Sequence, residues 1–231
     1  MGHTTQSPAT TSTKKSSIDA YLIIRQAIVE GAVKPVERLI EERWAKELGI
    51  SRTPVREALL LLEGEGLVSL LPNKGAVVRR FSKDDVVEIY ELRAVLEGYA
   101  ARKASTLITK EEITSLRCIA DRMEASLKRA FPSKEEEARW LVIQNNEFHS
   151  LISEASRNER LQSILKAIIE VPLVFKGYFW FGREERKLSN HYHRRLILVL
   201  ENRDGERAEL LMKEHIYEGR DFILTKLDAI P

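Results

Sequence analysis

From residue 83 onward, apolar side chains recur at intervals of three and four, in long runs separated by short polar stretches. That period puts them on one face of an α-helix. Val87, Ile89, Tyr90, Leu92, Val95, Leu96 and Tyr99 predict a helix with a partly buried face. Start signals recur in step with the runs: Ser82 with acidic residues behind it, Thr109 with Glu112, Ser133 with Glu136, then Asn158 and Asp204. The Thr109 and Ser133 pairs have the spacing of a capping box. About six helices are expected between 83 and 226, with no convincing strand, so 81–231 reads as an all-α bundle.

Before residue 81 the pattern is shorter and more broken, with four of the seven prolines and six of the eleven glycines. A helix over 18–29 would place Tyr21, Ile24, Ala27 and Ile28 together. A second, over 41–48, stops at Gly49, and a third starts at Ser51 and ends near Gly66. Two β-prone runs around Pro72 and Gly75 then read as a hairpin. Helix, helix, turn, helix, hairpin over 17–80 is the order of a winged helix-turn-helix. Residues 1–16, rich in Ser and Thr without periodicity, are expected to be a disordered tail. The fold class is therefore mainly α, a winged helix-turn-helix followed by a helical bundle.

Net charge adds little, with 37 Lys and Arg against 35 Asp and Glu, but its distribution does: residues 1–80 hold 12 basic and 9 acidic side chains. A mildly basic front suits nucleic-acid contact at one end only. A single cysteine, Cys118, excludes a disulfide framework and a cysteine-based zinc site. The chain has no apolar run of membrane-spanning length and no signal-peptide pattern, so a soluble cytoplasmic protein is expected.

The stretch "SRTPVREALLLLEGEGLV" carries the first candidate chemistry. Pro54 is tolerated in the first helical turn. With Val55, Ala58, Leu59 and Leu62 facing inward, Ser51, Arg52, Thr53 and Arg56 crowd the exposed N-terminal end. Hydroxyls and a helix N-terminus bind phosphate, and arginine takes guanine O6 and N7 with two hydrogen bonds. Two arginines at i and i+4 are also compatible with an ordinary solvated face. The tight turn before them, and Lys74, Arg79 and Arg80 after them, favour a recognition helix.

Residues 47–78, "ELGISRTPVREALLLLEGEGLVSLLPNKGAVV", resemble the DNA-binding domain of GntR-family bacterial transcription regulators. The resemblance implies a third helix in the major groove, a hairpin acting as wing, and DNA contacts from Ser51, Arg52, Thr53, Arg56, Asn73, Lys74 and Gly75. Two departures stand out. The family often has Pro-Gly in the turn after the first helix, where this chain has Pro35-Val36. Some members carry a DNA-contacting arginine where this chain has Glu42, so that contact is not carried over. The rest, through "YELRAVLEGYAARKA", "NNEFHSLISEASRNERL" and "HRRLILVLENRDGERAELLMKEH", resembles the all-helical FCD effector domain of the FadR-like branch.

Four histidines lie beyond His3. Asn145 and His149 are i and i+4 on one helix face, while His193 and His215 fall on two later helices joined by the "NRDGE" turn. Three imidazoles from three helices can hold a borderline divalent metal, although the residues taken one by one favour a core or surface role. The resemblance implies the former. Many members of the branch bind metal through an acidic residue four before the "FH" histidine and two later histidines, positions held here by Asn145, His149, His193 and His215. Zinc is the expected ion, with nickel and manganese as alternatives. Asn145 supplies a neutral amide where the family usually has aspartate, which leaves the centre more positive and attractive to a carboxylate effector. Arg93 matches a position that often faces the ligand cavity; its alternative is a surface salt bridge with Glu97. His191 falls outside the set. The aromatic cluster over 174–185 is compatible with core, a dimer contact or an effector pocket.

Together these expectations describe a homodimeric regulator, a repressor, that binds a palindromic double-stranded operator and responds to a small carboxylate. The alternative is a metal-dependent hydrolase or lyase using the three histidines, although no HExxH motif and no evident general base accompany them.

Overall fold

The computed structural model describes residues 9–29, 31–72, 74–80, 82–169 and 180–228. The chain divides into two compact units, Met1–Arg80 and Phe81–Pro231.

In the first unit, α1 (Ala9–Val29) packs against α3 (Arg52–Gly64), with α2 (Glu41–Leu48) beside it. Ile24 and Ile28 of α1 meet the Val55, Ala58, Leu59 and Leu62 stripe of α3 in a fully buried core. Helix α1 starts at Ala9, inside the stretch 1–16 expected to be a disordered tail. Neither proline nor glycine lies between Pro8 and Gly31, so nothing in the chain interrupts the helix there. Gly49 ends α2 in the left-handed conformation, with its N–H on the carbonyls of Ala45 and Lys46.

The expected hairpin forms from β2 (Val68–Leu71) and β3 (Gly75–Val78), and a two-residue strand, β1 (Arg38–Leu39), adds to it. The order is β1-β3-β2, antiparallel, with Leu39 opposite Ala76 and Leu71 opposite Gly75. Gly75, at φ +82, lies against β1: a Cβ there would sit 2.1 Å from the Leu39 carbonyl oxygen. The turn leading into β1 places Val36 at φ +68, with its N–H bonded to Val78 O at 2.9 Å. A β-branched residue rarely adopts that conformation.

The second unit contains, among the described residues, α4 (Lys83–Leu107), α5 (Lys110–Ser126), α6 (Lys134–Ala155), α7 (Glu159–Ile169), α8 (Arg183–Glu201) and α9 (Gly205–Asp228). Capping boxes form at Ser82 and Thr109. At Ser133 the side chain accepts from Glu136 N–H. Asn158 and Asp204 cap as expected, accepting from the backbone N–H groups of Leu161 and Arg207.

Helices α4 and α9 pack most extensively. Gly98 permits this approach, since a Cβ there would come within 3.0 Å of the Lys213 side chain. The apolar face expected for α4 divides. Tyr90 is buried with Val86, Ala94, Ala101 and Ala104, whereas Leu92, Val95 and Tyr99 are exposed on the other side. Ala94, Gly98 and Ala101 allow the close approach to α9, with Val86 and Tyr90 buried in the same core as its Met212, Ile216 and Ile223. No helix among the described residues is long and apolar enough to cross a membrane.

Candidate functional site

Helix α3 presents Arg52, Thr53 and Arg56 to solvent, since the opposite face is taken by its buried stripe. Ser51 occupies the N-cap position, but its hydroxyl makes no capping bond. Both arginines turn toward Glu41, at the start of α2. Arg56 donates through Nε to Oε1 at 3.0 Å and through Nη2 to Oε2 at 2.8 Å, and Arg52 Nη2 reaches Oε2 at 3.3 Å. The Arg56 hydrogen bond, against a smaller opposing effect of burial, holds the Glu41 carboxyl below its ordinary range. Lys74 is exposed in the β2–β3 turn. Gly75 is buried beneath β1, where the lack of a side chain lets the backbones pass. Asn73 lies outside the described residues.

In the second unit three helices bring the expected histidines together. His149 comes from α6, His193 from α8 and His215 from α9, all buried. The Nε2 atoms of His149 and His215 are 3.2 Å apart, and those of His193 and His215 are 3.1 Å apart. Two nitrogens on one tetrahedral zinc, at Zn–N of about 2.0–2.1 Å, are separated by about 3.3 Å. Burial, then the neighbouring imidazoles, push His193 well below the usual histidine range, and burial and His149 bring His215 to about 3. Both are thus neutral donors, the form in which imidazole binds metal.

Each ring is held differently. His149 donates through Nδ1 to Glu97 of α4, a buried carboxylate. That bond leaves the His149 Nε2 lone pair facing the other two rings, in the manner of a carboxylate that orients a metal-binding histidine. His193 stacks on Phe148, with ring centroids 4.1 Å apart, and its Nδ1 has no hydrogen-bond partner among the described residues. Asn145 lies one turn before His149, buried, and its Oδ1 is likewise without a partner. An orphaned amide oxygen beside three converging imidazoles fits a divalent cation. His191 is exposed and stands outside the group.

Burial alone would raise the Glu97 carboxyl, but Arg93 and then His149 outweigh it and hold it at about 2. Arg93 Nε donates to Glu97 Oε1 at 2.8 Å. The salt bridge weighed as the alternative for Arg93 does form, but it is buried, and Arg93 also faces a cavity: Arg93, Asn145, His149 and His215 all line a space of about 370 Å³. Tyr90, Phe181 and Phe222 supply its apolar wall, with Phe181 set edge-on to Phe222. Of the aromatic stretch, residues 174–179 lie outside the described residues. Trp180 packs against the core, while Phe181 joins the cavity. Glu97 is the residue that sequence reasoning missed; its one signal, an i+4 position after Arg93, pointed only to a local ion pair.

Comparison with known proteins agrees with both halves of this picture. Residues 17–78 match the profile of bacterial regulatory proteins of the gntR family, and residues 88–218 match that of the FCD domain. The chain is 32% identical over 191 residues to the Nta operon transcriptional regulator of Aminobacter aminovorans, covering 83% of this chain and 86% of that protein. It is 32% identical over 214 residues to the gluconate operon transcriptional repressor of Bacillus licheniformis, covering 90% and 83%. The solved structure of McbR/YncC from E. coli superposes with a TM-score of 0.75 at 22% identity, covering 92% of this chain and 98% of that one, and shares the fold. None of these matches favours a hydrolase or lyase.

Proposed function

Since the chain belongs to the GntR family, carries an FCD domain and is a DNA-binding transcription regulator, we propose that it acts as a homodimeric repressor whose grip on a palindromic operator is set by a small carboxylate bound beside a divalent metal. The observation that carries this reading is the convergence of three imidazoles, two of which, His149 and His215, line a cavity that Arg93 also lines. His149, His193 and His215 would hold the ion, zinc foremost, with Asn145 offering a neutral oxygen. When bound, the ion supplies uncompensated positive charge, because the carboxylate nearest the histidines, Glu97, is already paired with Arg93.

The residues divide the work of recognition. Arg93 presents a cation to an anionic group entering the cavity. Tyr90, Phe181 and Phe222 exclude water around it, which strengthens that attraction. Glu97 fixes the His149 ring. In the first unit, Arg52 and Arg56 meet base edges while Ser51, Thr53 and Lys74 meet phosphate. A carboxylate changes operator affinity only as far as it binds the DNA-competent and DNA-incompetent arrangements unequally. Binding a chromosomal operator would be cytoplasmic work.

The test is metal content by elemental analysis, with operator affinity measured with and without small carboxylates, for wild type and His149→Ala. Near-stoichiometric metal in wild type alone, and a carboxylate response lost in the variant, support the reading. Absence of metal in both after dialysis against divalent ions would overturn the metal-dependent half of it.

A further inference from the structure

We propose that Glu41 is a specificity-determining residue: it clamps Arg56 in the orientation that reads a guanine, and its charge penalises binding to DNA of the wrong sequence. The proposal rests on the assignment of α3 as the reading helix.

A free arginine side chain on a helix surface carries about 2 kcal/mol of rotamer entropy, which must be lost when it makes two bonds to a base. Here much of that ordering is already done. Glu41 takes the Nε–Nη2 side of the Arg56 guanidinium with both carboxylate oxygens, at 3.0 and 2.8 Å. This is the side-on fork geometry that fixes the plane of the group as well as its position. The Nη1 amino group takes no part in that pairing, so the end of the guanidinium remains to meet O6 and N7 of a guanine in the major groove. Arg52 Nη2 leans on the same Oε2 at 3.3 Å. The Glu41 side chain is only 12% exposed, covered by two arginines that are 60% and 62% exposed. It is thus the partly covered support of two outward cations.

The carboxylate also has an electrostatic cost at a DNA face. It cancels one of the two positive charges of the arginines and stands among groups that approach phosphates. Affinity for any duplex is therefore lower than Arg52 and Arg56 alone would give. That loss is common to all sequences, whereas the orienting effect is returned only where a guanine stands opposite Arg56. Removing Glu41 therefore lifts the loss on every sequence but forfeits the orienting gain only on cognate DNA, and this distinguishes a positioning role from a merely structural one. A structural role exists for comparison. Glu41 and Glu42 both lie in the first turn of α2, where acidic residues stabilise the helix. Glu42 is exposed and has no part in the arginine pairing, so its loss reports the removal of an acidic charge from this helix start, common to all sequences, without the clamp on Arg56.

The experiment selects duplexes from a randomised double-stranded pool with the wild-type full-length protein. Affinities are then measured for the selected duplex, its single G·C→A·T variants and an unrelated duplex of equal length. Glu41→Gln is expected to lose discrimination at one guanine position by about 10- to 100-fold, and to bind the unrelated duplex as tightly as wild type or more tightly. Arg56→Ala should lose discrimination at the same position, and the double variant should lose no more than Arg56→Ala alone. Glu42→Gln should leave every ratio unchanged. Glu41→Asp, which keeps the charge on a shorter arm, provides the same comparison if the thermal unfolding midpoint shows that Glu41→Gln is poorly folded. Wild-type discrimination in a folded Glu41 variant, with Arg56→Ala impaired, would overturn the inference alone. Wild-type discrimination in Arg56→Ala and Arg52→Ala would instead overturn the assignment of α3.

Discussion

Glu97 on α4 and His149 on α6, 52 positions apart in the chain, share a buried hydrogen bond from Nδ1 to the carboxylate. That bond selects the tautomer whose Nε2 lone pair faces His215. Glu97→Gln keeps the size of the side chain but removes the charge that holds the ring. Metal affinity is expected to fall by about 10- to 100-fold, measured by competition with a chelator of known strength. An unchanged affinity would mean that packing alone orients His149.

Acid should weaken the metal-free protein well above the usual carboxylate range. His215 is lowered from 6.5 to about 3, and His193 is also held well below 6.5. The unfolded chain therefore takes up protons below about pH 6.5 that the folded chain does not, so stability falls with pH, by about 1.4 kcal/mol per unit for each such histidine. Glu97, held at about 2 in the fold, adds to the loss between its ordinary 4.5 and that value. Chemical denaturation of metal-free protein at pH 7, 6, 5 and 4 checks the slope, and His215→Gln should make it shallower. A flat profile from pH 7 to 5 would contradict the burial of these rings in neutral form.

Val36 holds a left-handed backbone conformation that costs a β-branched residue about 1–3 kcal/mol. Glycine removes this strain and loses some of the gain to the greater freedom of its unfolded state. Val36→Gly is expected to stabilise the first unit by about 1 kcal/mol, seen as a raised thermal midpoint with DNA affinity retained. Destabilisation would mean that the Val36 side chain contributes packing worth more than the strain.

Leu92, Val95 and Tyr99 form an exposed apolar stripe at i, i+3 and i+7 on α4, which the proposed homodimer would cover. A charge placed there should oppose association. Val95→Glu is expected to shift the mass measured by light scattering toward the monomer and to weaken operator binding, with helical content unchanged. A variant that keeps the wild-type mass would place the contact elsewhere.

Much of this architecture was legible because the elements are long and their signals local. The Val55, Ala58, Leu59 and Leu62 stripe, the caps at Ser82, Thr109, Asn158 and Asp204, and the β2–β3 hairpin follow from spacing. Strand β1 did not show, because two residues carry no alternation; it forms where β3 offers an open edge. The split of α4 was equally hidden. Periodicity identifies large apolar residues, whereas the close packing of α4 on α9 selects Ala94, Gly98 and Ala101. The three histidines could be named but not brought together, since their meeting depends on the register of three helices. Glu97 and Glu41 were missed for one reason. Each acts on a partner in another helix, and an acidic residue on a helix surface looks the same in sequence whether it faces solvent or an arginine.

The chain of contacts from Arg93 through Glu97 to His149 runs from the wall of the cavity to the three imidazoles. In the proposed function, a carboxylate at Arg93 and a cation at the imidazoles would share Glu97 as a neighbour. Linkage makes any influence between them mutual: a cation that improves carboxylate affinity by some factor is itself retained more tightly by the same factor when the carboxylate is present. The operator would then respond to the product of two concentrations, not to either alone. The regulator would behave as a coincidence detector for metal supply and organic acid, silent when one is plentiful and the other scarce.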